Sequence, residues 1–295
     1  NKLKVTPKRV ILEKTQGNYD FNINTLKPFE AISWMSCYAR PVTNSNIGAD
    51  MLLYETRDGF NFRSINSLMK QPVYGTYTYQ PKNLEQSDFG NQLKTVIEYE
   101  FIKSFDALDD INSGTFANRL ISIDPLNRTM KVTDFDYAKY LGLTGGQTSA
   151  LATSPNRLGK TQNQSYTGTL KLGFTNADQK KKEYVQDGVG TLANDIYLEK
   201  FVPNRTAQLS LATYTKIKIR IPGDSAITVG KTINFNLMTL SPIQGVEKTL
   251  DRYYSGKYLV TAVRHIIQSQ GVFQTILEIS KEKPENSYSS VNPNN

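Results

Sequence analysis

Lys216-Ile217-Lys218-Ile219-Arg220-Ile221 is the stretch of the sequence that decides the fold. Cationic and apolar side chains alternate strictly, and a period of two places successive side chains on opposite faces of a strand. The pattern predicts a β-strand whose isoleucines are buried and whose Lys216, Lys218 and Arg220 form an outward basic face. These three residues are the candidate interface.

Three more strands are predicted downstream of this one. Pro222-Gly223-Asp224 turns the chain, and alternating or β-rich runs follow at residues 233–237, 258–267 and 273–279. Several strands joined by short turns are typical of a small antiparallel barrel. Upstream, residues 195–214 predict a helix that is interrupted or restarted at Pro203.

The N-terminal half predicts a helix followed by a hairpin. Pro28 suits the first position of a helix over residues 28–38. Asp58-Gly59 lies between two strand-like runs, and this dipeptide is a strong hairpin signal. We expect a type I′-like turn there, with Phe60 or Phe62 packed against the helix.

The rest of this half reads as strands and loops. Residues 116–123 and 129–135 predict a strand pair, whereas residues 94–103 fit a strand or the start of a helix equally well. Residues 106–111 predict a short helix. Residues 141–190 are rich in Gly, Ser, Thr, Gln and Asn, which predicts a long loop outside the packed core.

The predicted fold class is mainly β with α+β parts, combining small antiparallel β-barrels with an α/β helix–hairpin domain. Five segments are expected: strands over residues 1–24, a helix–hairpin and strand region over 25–140, a loop-rich insertion over 141–194, a barrel over 195–282 and a flexible tail over 283–295.

Composition restricts the classes of function. The 295 residues carry a net charge of +8, and the basic excess is dispersed along the chain. A dispersed excess of this kind favours acidic neighbours, whether protein or passing DNA, and the densest basic run, Lys180–Lys182, fits a solvated loop better than a nucleic-acid contact. Cys37 is the single cysteine, so no disulfide forms within the chain. No run approaches the roughly 18 apolar residues of a membrane span, and no span is expected.

The residues that carry chemistry point to no active site. His265 is the only histidine and lies within a predicted strand, where packing explains it better than catalysis. One Cys and one His cannot build a zinc site. Asp106, Asp109 and Asp110 lack the spacing of a calcium loop. Residues 154–161 resemble a phosphate-binding loop but have Ser154 where that loop needs Gly. We therefore expect no catalytic residues, no cofactor and no metal.

Five stretches carry a resemblance to a known family. They are Lys27–Trp34, Leu53–Ile65, Ser113–Pro125, Ile221–Asp224 with Thr228–Gly230, and Ser255–His265. In this order they resemble the baseplate hub proteins of contractile-tailed phages of the T-even-like and cyanophage groups, which are related to the spike barrels of secretion systems. The resemblance covers most of residues 25–140 and 195–281, and this chain looks shorter than the family at its N-terminus, so that part of a first barrel is expected to be missing.

The resemblance implies a non-enzymatic structural protein of the viral tail. Such hubs are homotrimers whose paired barrels form a pseudo-sixfold ring between the sixfold tail tube and the threefold central spike. The implied partners are the spike protein, tail tube or tube-initiator proteins, and viral DNA that passes through the channel without specific binding. The implied location is the virion baseplate, after assembly in the host cytoplasm. The alternative is a tail-associated lysozyme or peptidase that degrades the cell wall.

Overall fold

A computed structural model of the chain shows a mostly β protein with little helix. The structure describes residues 10–16, 23, 25–42, 50–79, 93–104, 117–124, 129–136, 168–171, 198–238, 250–251, 253–269 and 271–281.

Thirteen strands and three helices are described in these ranges. The helices are α1 (Pro28–Ser36), α2 (Ile65–Lys70) and α3 (Leu198–Leu211). The strands are β1 (Val10–Leu12), β2 (Met51–Thr56), β3 (Gly59–Ser64), β4 (Val73–Tyr79), β5 (Thr95–Val96), β6 (Glu98–Lys103), β7 (Ala117–Asp124), β8 (Thr129–Asp136), β9 (Gly168–Lys171), β10 (Thr215–Pro222), β11 (Thr232–Leu237), β12 (Gly256–Ile267) and β13 (Phe273–Lys281).

The chain divides into two compact units that interleave along the sequence. The first comprises Asn1–Glu55, Gly59–Ser64 and Asp106–Ser210. The second comprises Thr56–Asp58, Ile65–Phe105 and Leu211–Asn295. The predicted segment boundaries at residues 24, 140, 194 and 282 stay predictions.

The first unit contains the predicted helix and hairpin. Strands β2 and β3 are neighbours in a three-stranded sheet, and β1 pairs with β3 in parallel. The hairpin prediction is confirmed, and Gly59 has a φ of 135°, which only glycine adopts easily. The ring of Phe60 packs against that of Phe29 on α1 at 5.9 Å. Helix α1 ends at Ser36, close to its predicted end.

A second sheet of the first unit confirms another predicted strand pair. Strands β7 and β8 pair antiparallel, and β9 adds to β7 in parallel. Strand β9 falls inside residues 141–190, so this part of the predicted loop is a strand; the rest of that loop and the helix predicted at 106–111 lie outside the described residues. Helix α3 runs through Pro203 without the predicted interruption. Pro203 lies in its second turn, where a missing N–H removes only one helical hydrogen bond.

The second unit is built on a seven-stranded sheet with the order β5-β4-β11-β12-β13-β10-β6. The four strands predicted in the last third of the sequence are all present: β12 pairs antiparallel with β11 and with β13, and β13 pairs antiparallel with β10. The sheet as a whole is mixed, because β4 runs parallel to both β11 and β5. The predicted barrel segment pairs antiparallel, and the parallel strand is β4, which lay outside that segment. Strand β4 pairs with a strand that lies more than 150 residues away in sequence, and turn signals report only on local neighbours.

This sheet curls so that its two edge strands come together at one end. The edge strands β5 and β6 are separated by Ile97 alone, and the Ile97 N–H donates to the Arg220 carbonyl at 2.7 Å. In a flat sheet, six strand spacings of about 4.8 Å would hold the edges on the order of 29 Å apart. One residue cannot span that distance, so the sheet closes towards a barrel. The sequence left residues 94–103 open between a strand and the start of a helix, and the structure shows strands there.

The interior of the curled sheet is filled by large apolar side chains. Tyr258, Phe235 and Ile219 are fully buried there. The cluster contains Tyr77, Val96, Ile217, Ile219, Ile221, Ile227, Ile233, Phe235, Leu237, Tyr258, Val260, Leu277 and Ile279. The side chains of strands far apart in sequence therefore make a single packed core in this unit. A separate α/β helix–hairpin domain is not evident among the described residues, although α1 and the hairpin are both present.

Candidate interaction face

Strand β10 has the two faces that its alternating sequence predicts. Ile217, Ile219 and Ile221 are 0% exposed, whereas Lys216, Lys218 and Arg220 are partly exposed on the opposite face. The predicted outward orientation of the three cations is confirmed. The strand lies between β13 and β6. Outward side chains of these two strands therefore lie beside the three cations.

Each cation of this face forms an ion pair with a glutamate on an adjacent strand. Lys216 Nζ lies 2.6 Å from a carboxylate oxygen of Glu278 on β13. Lys218 Nζ lies 3.2 Å from Glu100, and Arg220 lies 3.1 Å from Glu98, both on β6. Register supports the last two pairs, because Lys218 is directly opposite Glu100 and Arg220 is directly opposite Glu98. We call these six residues the charge ladder.

The charge ladder is electrically balanced. Its three cations and three carboxylates cancel, although the cations alone suggested a basic face. The side chains are 30% to 66% exposed, so water weakens each pair and it stabilises the fold by about 0–1 kcal/mol. The face therefore presents fixed, alternating charges without a strong net field. An interface role for Lys216, Lys218 and Arg220 stays a prediction.

A shallow cavity lies within the ladder. It measures about 40 Å³ and is lined by the Lys218–Glu100 and Arg220–Glu98 pairs together with Tyr99, Ile219 and Ile276. Sites for small organic molecules measure roughly 300–1,000 Å³. This cavity is too small for such a ligand, and its chemistry suits contact with a protein side chain.

A second polar cluster joins the start of β4 to the loop that follows β10. Asp224 accepts hydrogen bonds from the hydroxyls of Tyr74 at 2.8 Å and Tyr77 at 3.3 Å. The Asp224 N–H donates to Thr275 Oγ1, and the other carboxylate oxygen accepts from the Ala226 N–H. Strand β5 pairs only with the C-terminal end of β4. The side-chain hydrogen bonds to Asp224 therefore hold the N-terminal part of β4 to the loop that follows β10. We call Tyr74, Tyr77 and Asp224 the tyrosine latch.

The latch raises the pKa of both tyrosines. Burial, followed by the hydrogen bond and negative charge of Asp224, raises the pKa of Tyr74 to about 12. Burial and the Asp224 charge also raise the pKa of Tyr77. A phenolate would repel the carboxylate and could no longer donate to it. Both hydroxyls therefore remain neutral donors at physiological pH.

Two of the remaining candidates from the sequence, His265 and Cys37, make local contacts. His265 Nδ1 is 3.0 Å from Thr275 Oγ1, and its ring lies 6.0 Å from that of Phe273. Cys37 is half-buried just after α1, with its thiol 3.7 Å from the Ser33 carbonyl. The aspartates at 106, 109 and 110 and the segment 154–161 lie outside the described residues.

The described ranges contain neither a metal-binding cluster nor a membrane-spanning helix. No three His, Cys, Asp or Glu side chains there are grouped as metal ligands would be. In the same ranges, no helix has the length and apolar character needed to cross a bilayer.

The acidic half of the ladder and the whole latch were missed by sequence reasoning. Glu98 and Glu100 do alternate within the sequence Glu-Tyr-Glu-Phe, which is the same period-two signal as that of β10. That signal could have identified an acidic strand face. Nothing local could have paired it with residues about 120 positions away.

Comparisons with known proteins found structural similarity only. No protein-family model and no curated protein sequence matches the chain. Among solved structures, the tail protein from Neisseria meningitidis MC58 aligns with a TM-score of 0.44 and 9% identity over 93% of this chain. The 43 kDa tail protein of prophage MuSo2 from Shewanella oneidensis aligns with a TM-score of 0.47 and 8% identity over 94%. The chain spans 62% of the length of each.

Proposed function

We propose that this chain is a structural subunit of a phage tail, and specifically the hub of a contractile tail baseplate. In this role three copies form a ring that joins the sixfold tail tube to the threefold central spike. The observation that carries the proposal is the curled seven-stranded sheet. Its strand β12 contains all but the first residue of the stretch Ser255–His265, and the stretch Ile221–Asp224 begins at the end of β10.

The packing of the sheet supports a role performed by its outer surface. Tyr258, Phe235 and the isoleucines of β10 occupy the interior and are fully buried there. A barrel with a filled interior acts on other molecules through its outside. A ring subunit needs such a rigid body with polar outer strands.

The charge ladder supports contact with a protein rather than with DNA. A surface that binds DNA neutralises phosphates with unpaired cations. Lys216, Lys218 and Arg220 each already have a carboxylate within 3.2 Å. Fixed charges of both signs suit a partner with the complementary arrangement, because they define the register of the contact and exclude other partners.

Oligomeric state tests the proposal. Light scattering of the purified chain at micromolar concentration, with and without the spike protein of the same particle, should report three copies. Electron microscopy of that sample should show a threefold ring. A chain that stays monomeric in both samples would contradict the hub assignment.

The ladder can be tested within the same experiment. Lys218→Glu should weaken trimer formation or spike attachment while leaving the melting temperature of the chain within a few degrees. Lys94→Glu is the matched control, because Lys94 is exposed outside the ladder. Normal assembly by the Lys218 variant would remove the ladder from the interface and leave a solvated or channel-lining face.

A further inference from the structure

The last hairpin of the curled sheet has an edge that no described strand covers. Strand β12 pairs with β11 only over Gly256–Leu259, and Val260 bonds to Gly230 and Lys231 beyond the start of β11. Along residues 261–267, β12 pairs only with β13 among the described strands. Within the described ranges, no backbone hydrogen bond reaches the other side of this segment.

The register shows which backbone groups face that open side. The Gln268 N–H donates to the Val272 carbonyl at 2.9 Å, so this pair is hydrogen-bonded across the hairpin. Antiparallel pairs alternate between bonded and non-bonded, so Ile266 and Arg264 also direct their N–H and C=O groups at β13. Consequently Val263, His265 and Ile267 direct theirs away from it.

The other side of β13 gives an independent check of this register. The Gly223 N–H donates to the Phe273 carbonyl at 2.9 Å, so Phe273 directs its carbonyl towards β10. Phe273 is opposite Ile267. The Ile267–Phe273 pair is therefore non-bonded, as the alternation requires.

The side chains of this edge indicate the chemistry of a partner. Ile267 is 79% exposed, and Arg264 and His265 are exposed beside it. Arg264 is the only Arg, Lys, Asp or Glu between residues 263 and 277, and it forms no ion pair with a described residue. Two copies of this edge paired with each other would place their arginines on the same side without a carboxylate. A segment with a carboxylate opposite Arg264 would complement it.

We propose that the open edge of β12 binds an extended acidic segment of another protein as an added antiparallel strand. Val263, His265 and Ile267 provide the backbone donors and acceptors, Arg264 pairs with the carboxylate, and Ile267 is covered. Main-chain bonds supply most of the affinity in this binding mode, and alternating side chains supply the specificity. The proposal is independent of the hub assignment, because a monomer could bind such a segment equally well.

Hydrogen exchange of the purified chain, resolved at single amides, tests whether the edge is open. The amides of Val263, His265 and Ile267 should exchange much faster than those of Arg264 and Ile266, which bond to β13. Equal protection of both sets in dilute protein would overturn the proposal. Protection of the first set that grows with protein concentration would also overturn it, because a second copy would then occupy the edge.

A synthetic peptide tests the chemistry of binding. The probe is the capped, fluorescent heptapeptide Thr-Val-Thr-Glu-Thr-Val-Thr, which places its glutamate opposite Arg264 when it aligns antiparallel with residues 261–267. Fluorescence anisotropy should show saturable binding. Replacing its glutamate by lysine should weaken binding about fivefold, as expected for an exposed ion pair. Equal affinity of the two peptides, or binding of neither, would overturn the proposal.

Backbone methylation provides the matched control for the peptide. N-methyl groups on its third and fifth residues face β12 and should weaken binding on the order of tenfold or more. The same two groups on its fourth and sixth residues face away and should have little effect. Similar losses from both peptides would exclude strand addition.

Variants of the protein complete the test. Arg264→Glu should reverse the preference and favour the lysine peptide. His265→Pro removes a backbone N–H only from the open side of β12. It should therefore abolish binding while the backbone hydrogen bonds between β12 and β13 are retained. Circular dichroism and the melting temperature report whether either variant is folded. A folded Pro variant that binds the probe normally would contradict the proposed edge.

Discussion

The inner and outer faces of β10 are built from alternate residues of one strand, yet they contribute to the molecule in different ways. Ile217, Ile219 and Ile221 are removed from water completely, and each buried side chain of this size stabilises the fold by roughly 1.5–3 kcal/mol. The cations between them form half-exposed ion pairs that contribute about 0–1 kcal/mol each. Stability is therefore concentrated on the inner face, and the outer face can be changed for contacts with partners at little cost to the fold.

The largest expected effect comes from removing one inner side chain. Ile219→Ala leaves a cavity in the packed cluster and should lower the free energy of unfolding by about 2–5 kcal/mol, measured by urea denaturation. Lys218→Ala is the matched control on the neighbouring position, and its loss should stay below about 1 kcal/mol. Losses of similar size in the two variants would break the contrast between the faces.

Adding one carbon at the end of the inner face should have the next largest effect. A Cβ on Gly223 would lie 2.0 Å from the ring of Phe273, so Gly223→Ala must displace that ring. Overpacking of this kind costs about 1–3 kcal/mol. Gly271→Ala is a useful comparison, because its Cβ meets open space and any cost there comes from its φ of 78° alone.

A smaller side chain at residue 273 tests whether the clash with its ring causes the loss of stability in Gly223→Ala. The double change Gly223→Ala with Phe273→Leu should recover part of the stability lost by Gly223→Ala, relative to Phe273→Leu alone. Strict additivity of the two changes would show that the ring and the new carbon do not meet.

The tyrosine latch should produce a smaller effect that depends on pH. Tyr77→Phe loses a hydrogen bond to Asp224 and should cost about 1 kcal/mol at pH 7. The folded-state pKa of Tyr77 and Tyr74 is raised above the ordinary value of about 10, so the folded chain holds more protons than the unfolded chain above that pH. Stability contributed by the latch is therefore complete below pH 10 and is lost as pH rises through the raised folded-state pKa values, which is about 12 for Tyr74.

Melting curves between pH 8 and 11.5 measure this dependence. The parent chain should lose melting temperature steeply above pH 10, and Tyr77→Phe should lose less over the same interval. Tyr38→Phe lies outside the latch and should follow the parent. Parallel curves for the parent and the Tyr77 variant would show that the latch does not titrate as proposed.

The smallest effect on stability is expected within the charge ladder. Lys218→Glu places a third carboxylate beside Glu100 and Glu278 and should cost about 1 kcal/mol or less, decreasing with added salt. The exchanged pair Lys218→Glu with Glu100→Lys should restore most of that loss. A double variant no better than the single one would show that these residues do not interact in solution.

Local signals predicted elements well where burial alternates along a strand. The period of two in β10 and β11, and the Asp58-Gly59 dipeptide of the hairpin, each predicted an element that the structure contains. The same rules overestimated Pro203 as a break in α3 and treated β9 as loop. Pro203 gives up one helical hydrogen bond without ending the helix, and a short strand can lie in a polar segment once a neighbour supplies its hydrogen bonds.

The sequence by itself determined which face of β10 is buried, because alternation of side chains in a strand leaves one apolar and one charged surface whatever the neighbours are. It also determined that Lys216, Lys218 and Arg220 point the same way. Only the tertiary structure decided that Glu278, Glu100 and Glu98 stand beside them and cancel their charge. It alone decided the parallel placement of β4, the closure at Ile97 and the open edge of β12. The physical reason is that strand pairing joins backbone groups of any sequence, so the choice of partner depends on the whole core.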